Sequence, residues 1–370
     1  MGNSQSMVRY LRRATLTGLA STGAFERART SRWRRERLLI LCYHGVSIED
    51  EHEWRPRLFM RPECLAERFE LLRSRGYSVL PLGEALERLY ADDLPPASVA
   101  LTFDDGGYDF YKSAYPLLQQ YELPATVYQT TYYADYQQPV FNLICSYMLW
   151  KRRGSVLEPA GRVPVRQRMD LRTEESRQNV VSELMALSAR ENLSGRDKHE
   201  MACRLAEFLE IDWESLLAKR ILHVMSPREI AEISRSGMSV QLHTHRHRTP
   251  LDEKLFRKEI AENSKRIREI TGSAPTHFCY PLGNYDSQFL PWLRQEGVLS
   301  AVTCDPALAA GDSHPLLLPR LVSTSAQSMS EFEAWLSGIG HMLSRRGKRR
   351  RIPQAALDYQ GGRLGFPRAR

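Results

Sequence analysis

From residue 38 onward, short and continuously apolar runs alternate with amphipathic segments, and this rhythm constrains the fold more than any other feature. The runs are Leu38–Tyr43, Ser98–Phe103, Ala125–Gln129, Ser239–Leu242, His277–Tyr280, Ala301–Cys304 and Leu316–Val322. Between them, Pro62–Arg75, Phe110–Tyr121, Ser226–Ser236, Asp252–Thr271, Ser287–Glu296 and Ser330–Met342 have helical spacing. Ser226-Pro227-x-Glu229 supplies an N-cap, a proline at the first helical position and a capping-box acid. Strands apolar on both faces and separated by helices predict a parallel sheet covered on both sides, here an α/β fold of distorted (β/α) barrel type. Residues 133–225 interrupt the rhythm with aromatic and then charged helical text, which predicts a helical insertion forming a lid or substrate wall.

Charge divides the chain into three parts. Residues 1–37 hold nine arginines against Glu26 and Glu36, and residues 341–370 hold nine Lys/Arg against Asp358. Their combined +15 exceeds the total of +8, so the body, 38–340, is acidic at −7. We therefore expect a basic N-terminal arm (1–37), a catalytic domain (38–340) and a basic C-terminal tail (341–370). The tails suit peripheral contact with an anionic membrane surface, and no specific nucleic acid is expected. Gly2 with Ser6 fits a short acylation pattern, and Arg9, Arg12 and Arg13 precede an uncharged stretch too polar for a convincing signal sequence. Apolar runs of about 18 residues, enough to span a bilayer, are absent. The six cysteines (42, 64, 145, 203, 279, 304) form no CxxC pair and read as reduced, buried thiols. Cytoplasmic residence is the expectation that follows.

Two motifs carry chemistry. Asp104-Asp105 ends an apolar strand and runs into Gly106-Gly107. Neighbouring strand residues point to opposite faces, so only a turn at the strand end can bring both carboxylates to one pocket. On its own the sequence also fits an exposed Asp-Asp-Gly turn. His243-Thr244-His245-Arg246-His247 places three imidazoles within five residues after another strand. If the chain turns at Thr244, His243 and His247 converge and His245 points away. Two imidazoles and a carboxylate suit a divalent metal ion, Zn²⁺ foremost, with Co²⁺, Ni²⁺ or Fe²⁺ in its place.

Thr102-Phe103-Asp104-Asp105-Gly106 and His243-Thr244-x-x-His247 resemble the first two motifs of the polysaccharide deacetylase family, the NodB homology domain. The resemblance covers roughly residues 38–340. It implies a NodB-like barrel of about seven strands in which Asp105, His243 and His247 bind metal and Asp104 is the general base. Phe278-Cys279-Tyr280-Pro281-Leu282-Gly283 is similar to the third, groove-lining motif, with a backbone N–H near Tyr280 facing the oxyanion beside Pro281. Cys279 stands where the family commonly has an Arg bonded to the base. Arg320, in Leu318-Pro319-Arg320, can supply a guanidinium from a neighbouring strand. The family's C-terminal histidine has no counterpart downstream of Arg320, but His44 ends the first strand. This resembles the circularly permuted subgroup that includes poly-N-acetylglucosamine deacetylases, and it implies that His44 is the catalytic acid.

The resemblance implies a hydrolase that removes N-acetyl groups from an N-acetylglucosamine-type glycan or precursor in envelope or exopolysaccharide synthesis. An O-acetyl esterase of xylan type on the same scaffold is the near alternative. A membrane- or nucleic-acid-docking protein around an inactive barrel is the distant one.

Overall fold

The computed structural model describes residues 15–19, 21–158 and 168–344. The N-terminal acylation pattern and Arg9, Arg12 and Arg13 lie outside the described residues, as does the C-terminal tail from residue 345. Seven parallel strands form the barrel: β1 (Arg37–Tyr43), β2 (Ser98–Phe103), β3 (Thr126–Gln129), β4 (Ser239–Leu242), β5 (His277–Cys279), β6 (Ser300–Val302) and β7 (Leu321–Val322). They pair in the order β7-β1-β2-β3-β4-β5-β6. The last segment joins the two ends. Leu318 bridges to Val302 of β6, and Leu321 and Val322 pair with Leu41 and Cys42 of β1. The expected strand Leu316–Val322 is therefore split. Pro315–Leu317 is a 3₁₀ turn, and Pro319, which has no N–H for a ladder, stands where the segment changes partners.

Period-two alternation sorts the strand residues. Leu38, Ile40, Ala100, Tyr128, Cys279, Val302 and Leu318 form one cluster inside the barrel. Leu39, Leu41, Tyr43, Val99, Leu101, Phe103, Val127, Val240, Leu242 and Phe278 face outward into the main core under the helices. Around the barrel lie α1 (Pro62–Ser74), α2 (Leu82–Tyr90), α3 (Pro227–Arg235), α4 (Glu253–Thr271), α5 (Phe289–Gln295) and α6 (Met329–Ser337). Helix α2, which the sequence reading did not anticipate, contributes Leu82, Ala85, Leu86 and Leu89 to the interior cluster. At the start of α3, Ser226 and Glu229 form the expected capping box. The Ser330–Met342 segment is two helices, broken where Gly338 takes φ 93°.

The insertion has its own core. Helices Phe141–Lys151, Glu174–Arg190 and Gly195–Phe208 bury Ile144, Tyr147, Met148, Val181, Leu184, Met201 and Leu205 together. A short hairpin, Val156–Leu157 with Met169–Asp170, sits between the first two helices. At the N-terminal side the described part of the basic arm packs on the domain. Phe25 and Leu16 cluster with Ala334 of α6, and Arg34 is wholly buried. The Arg34 guanidinium donates to the carbonyls of Leu336 (2.8 Å), Arg37 (2.6 Å) and Ser98 (2.9 Å). That arginine belongs to the fold rather than to a docking surface. Among the described residues no helix is long and apolar enough to cross a membrane. All six cysteines are unpaired.

Candidate active site

Asp104 has the parity of Ala100 and Thr102, so its side chain continues the interior face of β2 and is buried. Asp105 would point outward in a regular strand. It instead adopts φ 72°, followed by Gly106 at φ 69°. This left-handed pair swings the second carboxylate over the barrel mouth. After β4 the same device recurs, with Thr244 at φ 63° and His247 at φ 54°.

As a result Asp105 Oδ1 lies 3.2 Å from His243 Nε2 and 3.2 Å from His247 Nε2. His243 Nδ1–H donates to the Cys279 carbonyl at 2.9 Å, which turns Nε2 toward Asp105. Desolvation pushes the Asp105 carboxyl up, and hydrogen bonding to both imidazoles more than reverses it, leaving it well below the ordinary carboxylate range. Burial pulls His247 down, and Asp105 outweighs this and raises it. His245 turns away, its Nδ1 2.8 Å from Thr131 Oγ1.

Asp104 has different neighbours. Arg320 NH1 and NH2 each donate to a separate carboxylate oxygen at 2.7 Å, and NH1 also donates to Thr102 Oγ1 at 3.0 Å. The thiols of Cys42 and Cys279 donate to Asp104 Oδ2 at 3.4 and 3.3 Å. His44 Nε2 lies 3.7 Å from the same oxygen at the end of β1, the strand adjacent to β7. Burial opposes the ionised carboxylate, but the charge and hydrogen bonds of Arg320 prevail and hold Asp104 far below its usual range.

Among the remaining candidates, Arg320 supplies the guanidinium that the sequence suggested for the base. Arg320 is fully buried beneath Asp104, where it lines no groove. Tyr280 is also fully buried, its hydroxyl donating to the Leu316 carbonyl at 3.0 Å and its N–H to the Val302 carbonyl at 3.4 Å. Both donors of Tyr280 itself are thus engaged within the protein. Pro281 opens a short turn whose Leu282 is 79% exposed at φ 58°.

Two positioning residues escaped the sequence reading. Asn263 accepts from the His243 N–H (2.9 Å) and donates to the Gln129 carbonyl and Thr131 Oγ1 (3.0 Å each). Buried Glu259 accepts from the Arg246 N–H (2.8 Å) and from the Arg248 side chain (2.7 Å), anchoring the histidine turn to α4. Their signal was present in the sequence, because both lie on the stripe of Phe256, Ile260 and Ile267 as polar interruptions of an apolar face.

A distorted parallel barrel with an acid pair and an imidazole pair at the C-terminal ends of its strands defines the NodB type of α/β domain. The polysaccharide deacetylase family model matches residues 91–152 and 200–300, and that part of the chain is similar to a polysaccharide deacetylase domain. A poly-beta-1,6-N-acetyl-D-glucosamine N-deacetylase of Escherichia coli is 33% identical over 94 residues, 25% of this chain. The chain spans 14% of that relative's length. In fold it is similar to the deacetylase PplD of Streptococcus pyogenes, solved with acetate (TM-score 0.52, 18% identity, 79% of this chain and 94% of that one). It is equally similar to IcaB from Ammonifex degensii (TM-score 0.52, 18% identity, 82% and 97%).

Proposed function

We propose that this protein is a metal-dependent deacetylase that hydrolyses the acetamido group of an N-acetylglucosamine-type glycan or its precursor. The observation that carries the reading is the division of labour between adjacent acids. Asp105 faces two imidazoles, whereas Asp104 faces Arg320 and His44. The family match supports the reaction class, and the activity of the Escherichia coli relative supports the substrate class.

The donor set fits a divalent ion. With ligand bonds of about 2.0–2.2 Å, two donors on a tetrahedral or octahedral ion stand roughly 2.8–3.6 Å apart, and the observed separations are 3.2 Å. Asp105, His243 and His247 would hold it, and a set of two nitrogens and one oxygen suits Zn²⁺, with Co²⁺, Ni²⁺ or Fe²⁺ as competitors. Bound there, the ion supplies Lewis acidity, polarising the acetyl carbonyl and acidifying water enough for so weak a base as Asp104 to take its proton.

The chain's own groups do the rest. Arg320 keeps Asp104 ionised and fixes its plane, so the carboxylate accepts the proton of the water that attacks the acetyl carbon. His44, across from Asp104 Oδ2, donates a proton to the departing nitrogen, leaving acetate and a free amine. Six unpaired thiols suit a reducing compartment, and we read the protein as working in the cytoplasm.

Acetate release from a panel of N-acetylated and O-acetylated oligosaccharides by the metal-loaded protein tests this reading. N-acetylated glucosamine oligomers are expected to be turned over, with Asp104→Asn and His44→Ala losing about 10²–10⁴-fold in kcat. Hydrolysis confined to O-acetyl sugars would transfer the site to an esterase. No acetate from any substrate would sink the enzyme reading.

A further inference from the structure

Three thiols surround the ion pair at the candidate base, and the proposed reaction consumes none of them. Cys42 and Cys279 donate to Asp104 Oδ2 at 3.4 and 3.3 Å. Arg320 NH2 lies 3.1 Å from Cys279 Sγ and 3.7 Å from Cys304 Sγ. The three come from different segments: Cys42 and Cys279 from the ends of β1 and β5, and Cys304 from just beyond β6. Cys42 and Cys279 are wholly buried, whereas Cys304 is partly exposed. The turn Pro281–Gly283 runs against Cys304, and a Cβ at Gly283 would stand 3.3 Å from its sulfur. Glycine there, at φ 65°, keeps that side of the sulfur clear.

The surroundings divide the thiols by reactivity. Burial holds Cys42 and Cys279 as thiols, their ionisation pushed well above the ordinary value. Cys304 moves the other way. A hydrogen bond with Cys42 pulls it below the ordinary thiol value against the opposing effect of burial, and the charge of Arg320 adds to the pull. Partial exposure alone does not produce this, since Cys203 is also partly exposed and burial raises it. A thiolate beside a guanidinium, within reach of small molecules and against a second thiol, has the features of an oxidisable pair.

We propose that Cys304 is an oxidation site, at which a hydroperoxide drives formation of a disulfide with Cys42 that disarms the adjacent base. The Cys304 thiolate attacks the terminal peroxide oxygen, the O–O bond breaks, and the leaving alkoxide takes a proton to become an alcohol. Cys304 then carries a sulfenic acid. The Cys42 sulfur attacks it, the S–S bond forms as the S–O bond breaks, and the departing hydroxide leaves as water with the Cys42 proton. Two thiols have lost two hydrogens, and the peroxide has been reduced to alcohol and water. In a reducing compartment the pair returns to thiols once the oxidant is gone.

The consequence for turnover rests on the reading of Asp104 and His44 given above. Cys42 Sγ touches both, standing 3.4 Å from Asp104 Oδ2 and 3.8 Å from His44 Nδ1. An S–S bond of about 2.05 Å is much shorter than a contact between thiols, so its formation draws Cys42 toward Cys304. It removes the S–H that Asp104 accepts and the anion that faces Arg320, and it pulls on the strand end that carries His44.

The bond is read independently of turnover. The full chain, loaded with Zn²⁺ because that ion has no redox chemistry of its own, is treated with hydrogen peroxide. Free thiols are then blocked, and unreduced tryptic peptides are mapped by mass spectrometry. We expect the Cys42 and Cys304 peptides to be joined. Acetate release from N-acetylglucosamine oligomers should fall about tenfold or more and recover with dithiothreitol. Cys304→Ser should form no such bond and keep its own untreated rate in peroxide, while Cys64→Ser should respond as the native chain does. Mapping of the native chain alone decides the bond where a substitution destabilises the barrel. Cys42 and Cys304 left unjoined, Cys304 carried only to sulfinic acid, or Cys304 joined to another cysteine would each overturn the proposal. So would a bond that forms with no loss of rate. A bond that forms in a protein releasing no acetate even before oxidation upholds the oxidation site and counts against the proposed reaction.

Discussion

Arg320 and Asp104 meet inside the barrel with two guanidinium nitrogens each 2.7 Å from a separate carboxylate oxygen. The arginine comes from the segment that closes the barrel between β6 and β7, and its Nε–H donates to the Thr303 carbonyl at 2.9 Å. The same residues that close the barrel therefore set the orientation of the candidate base. Cys279, where the family commonly has an arginine, leaves room for this guanidinium, with its Sγ 3.1 Å from Arg320 NH2.

Arg320→Lys should separate orientation from charge. Lysine keeps a cation but lacks the planar fork that fixes both oxygens. We expect kcat to fall about 10–100-fold with little change in KM, as for loss of alignment rather than of binding. Arg320→Met removes the partner of a buried carboxylate and should cost about 3–5 kcal/mol in denaturant unfolding. A lysine variant with wild-type kcat would show that the clamp only serves stability.

Metal content should divide the site residues into two grades. Asp105→Ala, His243→Ala and His247→Ala are expected to abolish stoichiometric binding of Zn²⁺ measured by atomic emission after dialysis. Asn263→Ala, which removes the acceptor of the His243 N–H but no ligand, should weaken affinity about 10–100-fold, as loss of an outer-sphere partner does. Asp104→Asn should bind metal as the native chain does. Undiminished metal in the three ligand variants would reject this arrangement.

The sequence revealed the barrel strands because each is a short run buried on both faces, and revealed the acid and imidazole pairs because they sit at strand ends. What it hid depends on tertiary contacts. Arg34 reads as one more tail charge until its three carbonyl partners are seen, and one of these belongs to α6, 302 residues away in sequence. Leu316–Val322 looks like a single strand because periodicity does not report a change of partner at Pro319. Nor does spacing show that Val302 and Leu316 occupy the two donors of Tyr280. Helix α2 escaped because its apolar face plugs a barrel end that exists only after the strands assemble.

Gly106→Ala should damage the site without touching a ligand. Gly106 has φ 69°, and a Cβ built there would collide with the side-chain amide of buried Gln129. The turn that swings Asp105 over the barrel mouth would have to shift, and the Thr130 hydroxyl, which donates to the Asp105 carbonyl at 3.1 Å, would follow it. We expect about 1–3 kcal/mol of lost stability from the backbone strain, together with at least tenfold weaker metal binding. Full metal affinity in a folded alanine variant would mean that the turn tolerates rearrangement.

Asp109 should make stability depend on pH with an identifiable sign. Burial lifts its carboxyl to about 7 from an ordinary 3.8, although the Val46 N–H donates to it at 2.7 Å. The folded protein thus keeps this proton to near neutrality, whereas the unfolded chain releases it near pH 4. A group whose folded value is raised contributes fully below the unfolded value, and the contribution is lost as pH rises through the folded one. Between pH 4 and 7 the native protein should therefore lose stability relative to Asp109→Asn, which keeps an acceptor for Val46 but has no proton to lose. At about 1.4 kcal/mol per unit, the upper bound at pH 8 is about 4 kcal/mol. Thermal melts of the two proteins from pH 4 to 8 measure the difference, and parallel curves would reject the buried protonated carboxyl.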